Sequence, residues 1–241
     1  EGWYPSGTKD PANAFTPSGA LVKATLLLST RDMTGVTGYP NYNEGWGRIT
    51  LDDALYFSGD ARKFWIDDHR TGLDTGDSVK YLLEVLSSTQ SFKIVLVWHD
   101  TAAAANANPT LVNNLNLKVK DPSNNIYWGN NFSGGQSVPG GAPDTRNNVE
   151  VFLLNSPPTG TYEIKVKAAN IPTFARQPYA ITAAGDIREP SQQGAYEAEF
   201  FAESVEEGII LKWFNLNDAK NILIEKNGSK ILSIILEGIP V

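Results

Sequence analysis

Residues 91–130 read SFKIVLVWHDTAAAANANPTLVNNLNLKVKDPSNNIYWGN, and the reading of this stretch decides the fold. Phe92, Ile94, Leu96 and Trp98 alternate with Lys93, Val95, Val97 and His99. Further on, Leu115, Leu117 and Val119 alternate with Asn114, Asn116 and Lys118. Successive side chains of an extended chain point to opposite faces, so this period of two predicts two β-strands, each with an apolar face, joined by a polar loop. The Asp, Pro, Ser and Asn residues at 121–125 then predict a turn.

Working outward, the same signal recurs. RKFWIDD at 62–68, DSVKYLLEVLSS at 77–88, NVEVFLLN at 148–155, TYEIKVKA at 161–168 and PYAITAAG at 178–185 all read as strands. In TYEIKVKA the inward set is Tyr162, Ile164 and Val166 and the outward set Glu163, Lys165 and Lys167. Many short strands with turn-rich spacers predict a mainly β protein, a jelly-roll β-sandwich over 60–186. Upstream, 1–15 and 35–49 are loops rich in Gly, Pro and Asn. Between them Thr16 and Pro17 predict the start of a helix over 17–29 that is apolar nearly all round. Such a helix is buried on most sides, and nothing nearby in the chain is patterned to cover it, which points to more protein upstream. Thr50 predicts a second, short helix with Asp52 and Asp53 in its first turn. Downstream, 187–195 reads as a linker. The stretch 196–241 begins a new β unit, with a hairpin signalled by Asn227-Gly228.

The 241 residues carry a net charge of -7, which argues against nucleic acid as a partner. There is no cysteine, so disulfides, thiolate metal sites and a cysteine nucleophile are excluded. No apolar run is long enough to span a bilayer.

TPSGALVKATLLLSTRDM and NEGWGRITLDDAL, within 16–55, resemble the end of the catalytic domain of subtilisin-like serine proteases. FKIVLVWHD, LVNNLNLKVKDPSNNIYWGNNF, DTRNNVEVFLLNSPPTGTYEIKVKA and PYAITAAG follow in order. They resemble the jelly-roll domain that oxidatively stable alkaline proteases of this group carry C-terminally. The tail resembles the first half of a fibronectin type III-like module. The resemblance implies four parts: 1–58 as the end of an α/β catalytic domain, 60–186 as an accessory jelly roll, 187–195 as linker and 196–241 as a partial fibronectin-like unit. It also implies a secreted parent that cleaves protein substrates, with the helix at 17–29 packing against a catalytic domain absent from this chain. The Gly-Thr-Ser-type nucleophile motif of the family does not occur here, so no catalytic or cofactor-binding residue is assigned. The rival reading is a non-catalytic extracellular module that binds carbohydrate or a cell surface.

Two histidines, His69 and His99, adjoin Asp68 and Asp100, but neighbours on a strand face opposite ways, so neither pair forms a dyad. Calcium is the better expectation, because hard cations take clustered oxygen ligands. Asp100, Asn113, Asn114 and Asn116 form one candidate set, and Asp144, Asn147, Asn148 and Glu150 the other. The family's motif resembles Asn-Asp-Leu-Asp-Leu where this chain has Asn113-Asn114-Leu115-Asn116-Leu117, so two carboxylates are amides here. The same residues also suit turns and strand ends, through side-chain to backbone bonds. The sequence leaves both readings open.

Overall fold

The computed structural model describes residues 9–33, 35, 38–173, 176–190, 199–205, 208–214, 221–226 and 229–235. They fall into two compact units, Glu1–Pro190 and Ser191–Val241. In chain order the first unit has helix α1 (Gly19–Leu28), β1 (Thr30–Arg31), β2 (Arg48–Ile49), β3 (Lys63–Leu73), β4 (Ser78–Val85), β5 (Phe92–Val97) and β6 (Asn114–Lys120). It continues with β7 (Ile126–Trp128), β8 (Phe132–Ser133), β9 (Gln136–Ser137), β10 (Val149–Leu154), β11 (Gly160–Asn170), β12 (Gln177–Gly185) and β13 (Ile187–Arg188). The second unit has β14 (Glu199–Val205) paired with β15 (Gly208–Phe214), and β16 (Asn221–Lys226) paired with β17 (Ser229–Ile235). The Asn227-Gly228 turn, Trp3 and residues 191–195 of the expected linker lie outside the described residues.

Two antiparallel sheets face each other, with strand orders β10-β5-β12-β3 and β13-β4-β11-β6-β7. Successive long strands alternate between the sheets, which is the jelly-roll arrangement expected from the strand spacing. Ile187 and Arg188 extend the second sheet beside Val85 and Glu84, so the stretch read as linker contributes a strand at its start.

The core between the sheets is built from the alternation noted above. Phe92, Ile94, Leu96 and Trp98 meet Leu115, Leu117, Val119, Tyr162, Ile164 and Val166, all fully buried. Phe92, Phe152 and Tyr162 pack edge to face, with Tyr127 against Phe152, geometries that suit aromatic quadrupoles. Trp98 Nε1 donates to the Asn113 carbonyl at 2.9 Å, so the buried indole leaves no donor unmet.

The reading of β5 as one-sided is corrected by the structure. Its six residues are all buried. Val95 and Val97, with Val149, Val151, Ala180 and Ala184 on neighbouring strands, form a second apolar face on the outside of the first sheet. This face covers α1 through Ala20, Leu21, Ala24 and Leu28. The helix expected to lack a cover therefore has one within its own chain. Burial of each leucine is worth about 1.5–3 kcal/mol. The helix also starts later than expected. Ser18, not Thr16, is the N-cap, its Oγ accepting from the Leu21 amide at 3.1 Å. Asp68 on β3 fixes that cap, accepting from Ser18 N at 2.9 Å and Ser18 Oγ at 2.6 Å. The second expected helix is a single 3-10 turn, Leu51–Asp53, with no side-chain cap from Thr50.

Two cations, Lys93 buried and Arg62 half-buried, tie this N-terminal layer to the sandwich. Lys93 points out of β5 under the end of α1, its Nζ donating to Leu27 O, Thr30 O and Thr30 Oγ1 at 2.8–3.0 Å. Positive charge suits the carbonyl end of a helix. Arg62 donates to the carbonyls of Asp53 at 2.6 Å, Ser91 at 2.8 Å and Ala184 at 3.3 Å. Both side chains border an open cavity of about 420 Å³ at the C-terminal end of α1.

Candidate functional site

The structure sorts the eight candidate calcium ligands into three groups. In the first, Asp100 spends both oxygens on the chain. Its Oδ1 accepts from the amides of Thr101 and Asn113, its Oδ2 from that of Val112, all at 2.7–2.8 Å. It pins the two ends of the loop from β5 to β6. Asn113 is equally engaged, donating to Gln177 Oε1 at 2.8 Å and Thr173 Oγ1 at 3.2 Å. Asp100 and Asn148 both border a small cavity of about 160 Å³, but Arg146 lines it too, and its charge opposes a cation there.

The second group builds the turn before β10. Asp144 accepts from the amides of Arg146 and Asn147 and from the side-chain amides of Asn130 and Asn147. Burial works against its charge, but these hydrogen bonds outweigh it and hold the carboxyl below its ordinary pKa. Asn148 donates to the Trp98 carbonyl at 3.0 Å, joining β10 to the end of β5.

The third group differs in kind. Asn114 Oδ1, Asn116 Oδ1 and Glu150 Oε1 are buried oxygens that accept no hydrogen bond. Glu150 is fully buried, and its Oε2 takes the Leu117 amide at 2.6 Å, beside the residue that follows Asn116. Burial raises its pKa well above the usual carboxylate range, the Leu117 bond opposes this, and the negative charge of Asp144 adds to the rise. A buried polar atom without a partner costs about 1–3 kcal/mol. They lie on two segments, β6 and β10, that the bond from the Leu117 amide to Glu150 ties together. Among the described residues no three His, Asp or Glu side chains gather. An ion at this place would therefore rest on amide and carboxylate oxygens together, a hard-cation donor set.

His69 has other partners than its sequence neighbour. His69 stacks on Tyr179 with ring centroids 4.7 Å apart, and its Nδ1 lies 3.4 Å from Asp67 Oδ2, two residues back on the same strand face. Tyr81 donates to Asp67 at 2.5 Å and lies 2.5 Å from the Tyr179 hydroxyl. Burial, then the Asp67 bond, raise the Tyr81 pKa. The hydroxyls of this cluster are phenols. It closes the rim between β3 and β4 and does not reproduce a serine-protease triad. A pairing at i, i+2 on one strand was available in the sequence, and adjacency reasoning passed over it.

No family model matches the chain. Three proteins of Dictyostelium discoideum align with it. The serine protease/ABC transporter B family protein tagA is 30% identical over 190 residues, which is 75% of this chain and 11% of that protein. The tagB and tagD proteins of the same description are each 25% identical over 71% of the chain. The chain is their distant relative. It spans about 11–12% of the length of these curated relatives. It is thus a protease-related region with the architecture of a β-sandwich. No helix among the described residues is long and apolar enough to cross a membrane.

Proposed function

We propose that this chain is the non-catalytic accessory region of a secreted subtilisin-like serine endopeptidase, and that it braces the catalytic domain through its N-terminal layer. One observation carries the reading. Among the described residues, eight of the eleven exposed large apolar side chains lie between positions 15 and 57: Phe15, Val22, Leu26, Met33, Tyr42, Ile49, Leu51 and Phe57. The sandwich faces contribute three, Leu82, Leu86 and Ile126. On α1, Val22 and Leu26 are one turn apart, on the side of the helix opposite Leu21, Ala24 and Leu28, which bury against the first sheet. The helix α1 thus has a covered inner side and exposed apolar side chains on its outer side. Concentrated exposed apolar surface is the mark of an interaction site. Relatives described as serine proteases, of which this chain spans a small part, supply the natural occupant: a catalytic domain in the same polypeptide.

The role of the third group follows the same reading. Asn114, Asn116 and Glu150, with the charge of Asp144 nearby, would hold a calcium ion that neutralises the acid pair and fastens β10 to β6. The chain's own part is to fix the oxygens: Leu117 N orients Glu150, and Asn130 and Asn147 orient Asp144.

The test is Val22→Asp with Leu26→Asp in the intact protease. Both side chains point away from the sandwich, so the chain on its own should keep its melting temperature. The intact enzyme should lose activity severalfold faster on heating. An unchanged inactivation half-life would exclude docking through α1.

A further inference from the structure

We propose that the outer face of the β4-β11-β6-β7 sheet binds a polyanionic glycan, one carrying sulfate or uronate groups. The strand register sets the argument. Lys80 stands opposite Lys165, Lys165 opposite Lys118, and Lys118 opposite Trp128, so one row of side chains crosses four strands as Lys-Lys-Lys-Trp. Each lysine is flanked by inward residues: partly buried Val79 and Tyr81 on β4 pack against the core, as do fully buried Ile164 and Val166 on β11 and Leu117 and Val119 on β6. All three lysines therefore lie on the outer face. Lys167 and Lys120 stand one step along the same face on either side of the row.

Like charges directly opposite on neighbouring strands cost stability. The row places three in succession. Glu163 is the one acid on this part of the face, and it reaches only Lys80, at 3.9 Å. Five lysines against one glutamate gather here in a chain whose net charge is -7. The sandwich does not need this arrangement, because the inward residues alone build its core.

The spacing selects the ligand. Strands lie about 4.8 Å apart and same-face residues about 7 Å apart along a strand, so the ammonium groups form a flat grid of roughly 5 by 7 Å. A chain of sugar rings, each about as long as one strand spacing, presents regularly spaced anions to such a grid. Trp128 ends the row, half-buried, with the Lys118 ammonium 5.6 Å from its ring. An aromatic ring beside cations offers a sugar face a platform to stack on. Exposed Leu82 and Ile126 stand only at the ends of the neighbouring row, with Glu163 and Lys120 between them, so the row of cations and its ring suits a glycan better than an anionic lipid surface.

The experiment is titration calorimetry of the 241-residue chain at 50 mM salt. The probes are heparin, polygalacturonate, neutral dextran, and vesicles of phosphatidylserine and phosphatidylcholine. Binding to heparin or polygalacturonate and not to dextran is expected, with the pair separating sulfate from carboxylate recognition. Lys118→Gln with Lys165→Gln should weaken that binding about tenfold or more and lower its salt slope by about two. Lys9→Gln with Lys23→Gln removes the same net charge elsewhere and should leave affinity within about twofold. Trp128→Ala should weaken binding without changing the salt slope. Failure of both glycans to bind would overturn the proposal. So would equal losses in the two lysine pairs, or binding confined to the vesicles.

Discussion

Replacing Lys93 by methionine tests how the N-terminal layer is held. Burial pushes the ammonium pKa down to about 7 from its ordinary 10.5, and the Arg62 charge adds to the effect. Three acceptors at the end of α1 match its three hydrogens and keep the charged form in play. A folded pKa below the unfolded one means that the unfolded chain binds more protons between pH 7 and pH 10.5. Stability therefore rises with pH across that window, and below pH 7 the full cost of the buried charge is present. A shift of this size is worth about 4–5 kcal/mol in total, of which about 2 kcal/mol is recovered between pH 7 and pH 9. In Lys93→Met no proton is bound at this position in either state. The assay is urea unfolding of the wild-type and variant chains at pH 7 and pH 9. The wild type should gain about 2 kcal/mol more than the variant between the two values, since all other groups cancel in the difference. Equal pH dependence in both chains would show that Lys93 does not titrate in this range and would refute the reasoning.

Three further outcomes are expected. Asp68→Asn should destabilise the chain by about 1–2 kcal/mol at pH 7, because it weakens the anchor of the α1 cap. Ser18 and Arg70 bonds overcome the effect of burial and hold the Asp68 pKa below its ordinary value, so this loss should be fully present above the ordinary carboxylate pKa and shrink as pH falls below it toward the lowered folded value. Gly129→Ala should cost about 1–3 kcal/mol in a denaturant melt, since its Cβ would lie 2.6 Å from Glu150 Cβ and press on Glu150 Oε2. A near-neutral effect would mean that Glu150 is not packed against β7. Millimolar calcium should raise the melting temperature, and excess chelator should reverse the rise. Asn116→Leu should abolish the calcium response, and a wild-type melt indifferent to both additions would remove calcium from the account.

The sandwich was legible because its core strands alternate cleanly. Tyr162, Ile164 and Val166 are buried as their pattern required, and the turns between strands carry the expected Gly, Pro and Asn. What misled was a strand with two buried faces. Val95 and Val97 fit the outward phase of an alternating strand, and only the tertiary fold brings α1 down upon them. Lys93 has the same origin: a lysine on a strand reads as solvent-facing, whereas here its charge caps a helix from below. Among the candidate ligands the residue types were visible, but their allocation was not. Asp100 and Asn114 look alike as oxygen donors in sequence. Hydrogen bonds separate them, since two of the three amides that occupy Asp100 come from twelve and thirteen residues away. Glu150 sits in an apolar run, NVEVFLLN, where a lone acid inside a buried strand was the available signal.

The central claim is that the N-terminal layer is an inner surface of a larger protease. Hydroxyl-radical footprinting of the isolated chain and of the intact polypeptide measures it side chain by side chain. The account predicts that Val22, Leu26, Leu51 and Phe57 lose labelling in the intact protein, while Leu82, Leu86 and Ile126 label equally in both. Labelling of the first set that is as heavy in the intact protein as in the isolated chain would contradict it.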